Sequence, residues 1–166
     1  AILTSQSILP LFNFLIKLGV FEAALDLFDH IDIPSLVYSE VRQKPDDSAE
    51  AVEDLIKGGR VSVLKAENER LVSALNRRLG KGEAEAIALS IETGADLVML
   101  DDHAARAEAM RLGLAVKGTL GIVRRLMENG AFESKFEELF VSLKAMGFRI
   151  REELFWEIFS GIDQKR

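Results

Sequence analysis

The sequence predicts an α/β fold of three layers, α/β/α, with a central parallel sheet and further helices at the carboxyl-terminal end. Three observations predict it. Short apolar runs alternate with stretches of helical apolar spacing over residues 1–130. The links between them are short, as strand-helix-strand crossovers allow. The run DLVML at 96–100 is apolar in all but its first residue, which is how a strand buried on both faces reads.

Taken in order, the apolar start at 1–4 predicts a strand, and a helix follows at once, with Ile8, Leu11, Phe12, Leu15 and Ile16 on one face until Gly19 stops it. A second helix at 21–28 leads to a brief strand, Ile31, Asp32 and Ile33, closed by Pro34, which also suits the first turn of a helix over 35–43. The stretch KPDDSAEAVEDLIKGG at 44–59 reads as a loop, a capped helix and a Gly-Gly stop. Val61 to Leu64 suits an edge strand, and 67–79 a helix with Leu71, Leu75 and Leu79 on one stripe. From Gly82, the positions Ala84, Ile87, Ala88 and Ile91 keep helical spacing as far as Gly94, where the buried run begins. A helix over 102–112, a short strand at 114–116 and a helix over 118–128 complete the alternation. Right-handed crossovers then place the active edge at the carboxyl ends of the strands.

Residues 1–130 are expected to form the α/β domain and 131–166 a helical extension packed on it. Two amphipathic helices, separated by Met146, Gly147 and Phe148, carry Phe136, Leu139, Phe155, Trp156 and Phe159, more apolar surface than a solvated tail exposes. A length of 166 residues fits one such unit. The absence of cysteine excludes disulfides and thiolate metal sites and fits a reducing, cytoplasmic location. The apolar opening is broken by Pro10, Asn13 and Lys17, so neither a membrane span nor a signal peptide is expected. A net charge of −6 argues against coating nucleic acid by bulk electrostatics, while leaving room for a local basic patch or a bound metal to attract phosphate.

The chemistry concentrates at 79–126, which places Glu83 at the start of a helix and Asp101 and Asp102 directly after the buried strand. If that helix and strand are neighbours, the acids meet at one edge of the sheet. Carboxylates gathered there repel one another, and a hard cation such as Mg2+ or Mn2+ relieves the repulsion. Such an ion orients water, lowers its pKa and stabilises a phosphoryl transition state. The same residues read equally well as helix-start acids, with Asp101 as the N-cap, Asp102 favourable to the helix dipole and Glu83 in a first turn. Spacing leaves both readings open.

The segments GEAEAIALS from Gly82, LVML from Leu97, the pair Asp101 and Asp102, the pair Ala105 and Arg106, and the turn GTLG from Gly118 stand in an order and at distances that resemble the PIN domain family, especially a prokaryotic nuclease branch. IDIPSLVYSEV at 31–41 is similar to that family's strand-Pro-helix piece. The resemblance implies an acidic set holding one or two divalent ions, Mg2+ or Mn2+, that cut RNA. Position by position, Glu40 matches the second acid, Glu83 the third and Asp101 the fourth, with Asp102 beside it. Ser5 stands where the first acid is expected, and no Asp or Glu occurs between Ala1 and Val20. A carboxylate facing a dication contributes several kcal/mol at an effective dielectric of about 20. A hydroxyl keeps the oxygen and drops the charge.

Around this set the roles stay divided. Thr119 offers a hydroxyl and an N–H to a phosphate, or caps a helix. Arg106 and Arg111 anchor phosphate or pair with acids such as Glu108. Arg77, Arg78 and Lys81 line an RNA groove or form a solvated helix end. His103 assists as ligand or proton donor, or is an exposed first-turn residue. The sequence carries no HExxH, no phosphate loop ending in Gly-Lys-Ser/Thr and no Gly-x-Ser-x-Gly elbow. The resemblance therefore implies a metal-dependent endoribonuclease, the toxin of a toxin–antitoxin pair, with RNA and an antitoxin protein as partners and pairing as a homodimer. The alternative is a PIN-like binding or regulatory module whose catalysis the loss of the first acid has impaired. A flavodoxin-like or receiver-like regulator shares the acidic strand end but needs a lysine in a Lys-Pro context after the last strands, which this sequence lacks.

Overall fold

Short apolar segments separated by helices pair most readily side by side in one direction, because each crossover returns the chain to the same edge. In the computed structural model, which describes residues 2–3, 5–44 and 46–162 with side chains from Leu11 onward, five strands do so. They are β1 (Ile2–Leu3), β2 (Ile31–Pro34), β3 (Val61–Leu64), β4 (Val98–Met99) and β5 (Val116–Lys117), all parallel in the order β3-β2-β1-β4-β5. The chain runs outward from β1 to β3 and then returns to the other side of β1, so the order reverses between β1 and β4. In open parallel sheets a reversal of this kind opens a crevice beyond the carboxyl ends of the two strands. Ser5 follows β1 and Asp101 follows β4, the two strands between which the order reverses.

The helices are α1 (Ser5–Lys17), α2 (Phe21–Leu25), α3 (Ser35–Arg42), α4 (Asp47–Lys57), α5 (Glu69–Asn76), α6 (Lys81–Thr93), α7 (His103–Arg111), α8 (Thr119–Glu128), α9 (Phe136–Ala145) and α10 (Glu152–Phe159). Local chemistry sets their limits. Asp46 caps α4 by accepting from the N–H groups of Ser48 and Ala49. Gly94 closes α6 in the left-handed conformation, φ 64°. The stripe expected over 67–79 shortens to α5 because Glu92 takes the N–H groups of Glu67 and Asn68, and the Asn68 side chain then caps the helix through Leu71.

The helix α6 departs most from the expected pattern. It is buried continuously from Gly82 to Ser90, while Ile91, placed by spacing on its apolar face, is exposed. A helix apolar on every side belongs inside a fold. Its Ala84, Ala86 and Ala88 let it lie close against β1, β2 and β4 while α3, α5 and α7 flank it.

Two apolar clusters form the core. Met99 packs with Phe14, Ile33, Val37 and Leu126, whereas Val98 and Leu100 pack with Ile87, Leu89 and Ala84. Neighbouring strand residues point to opposite faces, which is why Met99 joins one cluster while Val98 and Leu100 join the other. Leu139 and Leu143 of α9 and Phe155 and Phe159 of α10 belong to the first cluster, with the Phe155 and Phe159 ring centroids 4.6 Å apart. No helix among the described residues is long and apolar enough to cross a membrane.

Candidate metal centre

An acid in the first turn of a helix normally faces water and gains a little from the helix dipole. Glu83, in the first turn of α6, does not face water: it is 4% exposed, and its Oε1 has no hydrogen-bond partner among the described residues. Its other oxygen folds back over the helix start, where a Cβ at position 80 would stand 2.1 Å from Oε2, so Gly80 makes this conformation accessible. Burial is the main cause that raises the Glu83 pKa, and the charges of Asp102 and Glu40 push in the same direction, against the pull of its own backbone N–H. Three of the expected acids therefore share one electrostatic neighbourhood, centred on a carboxylate oxygen that no described residue satisfies. A helix-start role accounts for an acid here but not for its burial or its unpaired oxygen.

The two aspartates after β4 divide their work. Asp102, rather than Asp101, is the N-cap of α7, accepting from the Ala105 N–H at 2.8 Å. Asp101 instead accepts from the Thr119 N–H at 2.8 Å and the Thr119 hydroxyl at 2.7 Å. This clamp fastens the end of β4 to the start of α8. Gly118, not Thr119, is the N-cap of α8, and a Cβ there would lie 2.8 Å from both Asp101 Oδ1 and Arg106 Nη1. Thr119 is buried with both donors spent on Asp101, which leaves it none for a phosphate. Each Asp101 oxygen keeps lone-pair capacity beyond its one hydrogen bond.

The cations expected nearby are engaged by other partners. Arg106 donates from Nη1 to the Leu100 carbonyl at 2.9 Å, closing the end of β4 rather than pairing with Asp102. Arg78 and Arg111 converge on Glu108, at 3.5 Å and 2.6 Å, on the outside of the fold. Glu40 is exposed on α3 and bears on the site through its effect on Glu83. His103 is exposed at the start of α7. Ser5 begins α1, and its side chain lies outside the described residues.

Sequence reasoning overlooked Glu85. It is as buried as Glu83 yet fully employed, accepting from the Leu36 N–H at 2.8 Å, the Ser35 hydroxyl at 2.9 Å and the Ala66 N–H at 3.4 Å. Since Pro34 offers α3 no side-chain cap, the Glu85 carboxylate serves as the anion for that helix start. The available signal was GEAEA itself, which places two acids inside an otherwise apolar helix.

As placed, no three acidic or imidazole side chains among the described residues stand close enough to hold a metal ion. What the chain does supply fits a hard dication in kind: oxygen donors, mutual repulsion and the orphaned Glu83 oxygen. A family model described as a PIN domain matches residues 9–164, a span that contains Glu40, Glu83, Asp101 and Asp102 and excludes Ser5. No curated protein matches the chain.

Proposed function

Because the chain belongs to the PIN domain family, we propose that it is a metal-dependent endoribonuclease that hydrolyses RNA phosphodiesters. The observation that carries this reading is Glu83, a buried carboxylate with an unsatisfied oxygen, pressed by the charges of Asp102 and Glu40. In this reading Glu40, Glu83, Asp101 and Asp102 hold Mg2+ or Mn2+, and Ser5 offers a hydroxyl where the first acid would be. The bound ion supplies a water of lowered pKa and a counter-charge for the phosphoryl transition state. The protein's part is positional. The Asp101–Thr119 clamp fixes the strand edge, and Gly80 lets the Glu83 carboxyl turn inward, where burial and the charges of Asp102 and Glu40 raise its pKa and a cation would offset that repulsion.

The test is incubation of labelled single-stranded RNA with Mn2+, comparing the native chain with Glu83→Gln. Cleavage should need the metal and fall roughly a hundredfold or more in the variant. Cleavage that persists in chelator, or that Glu83→Gln leaves intact, overturns the proposal.

A second reading has its own support: the family's first acid is replaced by Ser5, and the described acids form no closed ligand set. A catalytically impaired PIN-like module would bind RNA or a protein without cutting, which the same incubation distinguishes. The family resemblance further supports a cytoplasmic toxin held by an antitoxin protein and paired as a homodimer, and the two core clusters support helices on both sheet faces in three layers. We take residues 131–166 as an extension packed on the same domain as 1–130, supported by the shared first cluster.

A further inference from the structure

In a chain with a net charge of −6, a local surplus of cations beside the acidic edge stands out. Such a surplus lines a cleft of about 920 Å³ that starts at Asp101 and Asp102 and runs between α7 and α8 on one side and the α9–α10 turn on the other. Among its described lining residues, the Lys and Arg side chains Arg106, Lys117, Arg124, Arg125 and Arg149 outnumber the acids Asp101, Asp102 and Glu128. Some of these cations are tied to the protein. Arg106 holds the Leu100 carbonyl, and Arg124 holds Glu128 at 2.8 Å and also the Ile158 carbonyl, which fixes α10 against α8 as a wall. Arg125 lies 3.7 Å from Glu128, and the charge of Lys117 also acts on that carboxylate, but Lys117 and Arg149 form no salt bridge with a described residue and both are exposed. The opposite wall is apolar, formed by Phe148, Ile150 and Leu154, and an edge-on contact with Phe14, centroids 6.1 Å apart, holds the Phe148 ring in place.

We propose that this cleft binds the single-stranded RNA segment adjoining the acidic edge, with phosphates on Lys117 and Arg149 and a base against Phe148. Cations that track a backbone together with a held aromatic ring are what sequence-tolerant binding of single strands uses. An acidic protein segment would match the cations too. Continuity of the cleft with Asp101 and Asp102 favours the polynucleotide, since a strand lying across that edge has to continue past it. The choice of RNA as ligand rests on the nuclease reading; the cleft and its charge do not.

The experiment follows binding rather than cleavage, by anisotropy of a short labelled oligouridylate on the full chain with divalent ions chelated. Lys117→Glu and Arg149→Glu should each weaken binding about tenfold and flatten its dependence on the logarithm of salt by about 0.7. Phe148→Leu, which preserves apolar volume and removes the ring, should weaken oligouridylate about tenfold and leave an abasic ribose-phosphate strand of equal length unchanged. Absence of binding by the native chain, or variants that bind as it does, overturns the proposal. Weakened binding of a polyglutamate peptide with RNA binding untouched also overturns it, in favour of an acidic protein partner. Since no cutting is read, failure here leaves the Glu83 test standing, and failure of that test leaves the binding result standing.

Discussion

Two glutamates, two residues apart and both buried in α6, carry opposite energetics. Glu85 accepts hydrogen bonds from donors at the start of α3, whereas Glu83 is buried with one oxygen unpaired among the described residues and like charges nearby. The sign of each effect on stability follows. A folded-state pKa above the unfolded value means that the fold favours the neutral acid, so this contribution is full below the ordinary value of 4.5 and is lost as pH rises through the folded value. Glu83→Gln, neutral at every pH, should therefore melt at a higher temperature than the native chain at neutral pH without metal, and the difference should vanish in acid. Glu85→Ala should do the reverse, costing about 1–3 kcal/mol in urea titration because the Leu36 N–H and the Ser35 hydroxyl lose their acceptor. If both substitutions shift stability in the same direction, the contrast drawn between the two carboxylates is wrong. Spacing alone did not separate them, since each occupies a position that reads as a helical acid. Only the surrounding donors tell which is employed.

At the scale of elements, the order of strands and helices was legible because glycines and capping residues punctuate it: Gly19, Asp46, Gly94 and Gly118 all stand at or next to helix ends. Strand length was less legible. The run at 96–100 promises five strand residues and yields two, Val98–Met99. The Leu100 N–H still reaches the Lys117 carbonyl, but the Leu100 carbonyl is taken by Arg106 and no longer by the sheet. A side chain six positions further on therefore ends the strand, and an apolar pattern carries no trace of that. The joint it creates depends on Gly118, whose φ of −106° any residue can adopt, so an added methyl group acts by crowding alone. Gly118→Ala should push Asp101 and Arg106 apart, lower the melting temperature by a few degrees for about 1–2 kcal/mol, and reduce the proposed RNA cleavage. Native-like melting together with native-like cleavage would show that this joint tolerates the crowding.

For the molecule as a whole, the open question is whether the carboxyl-terminal helices are an accessory or part of the folding unit. The family match, residues 9–164, extends beyond residue 131, and Leu139, Leu143, Phe155 and Phe159 share one core cluster with Ile122, Val123 and Leu126 of α8. Removing residues after Gly130 would uncover that face of α8, and an apolar patch of this kind drives association. Truncation alone is a blunt test, because an insoluble product does not say which contact mattered. Phe155→Ala is sharper: the side chain is fully buried and contacts Phe140, Trp156 and Phe159, with centroids at 5.0, 5.3 and 4.6 Å. The expected cost is about 3–5 kcal/mol, appearing as a shift of one cooperative unfolding transition followed both by tryptophan fluorescence, which reports on α10 through Trp156, and by far-ultraviolet circular dichroism, which reports on every helix. If the fluorescence transition moved while the dichroism transition stayed in place, the extension would unfold by itself. The wall of the cleft that Phe148 and Arg149 form would then rest on an element able to detach from the acidic edge.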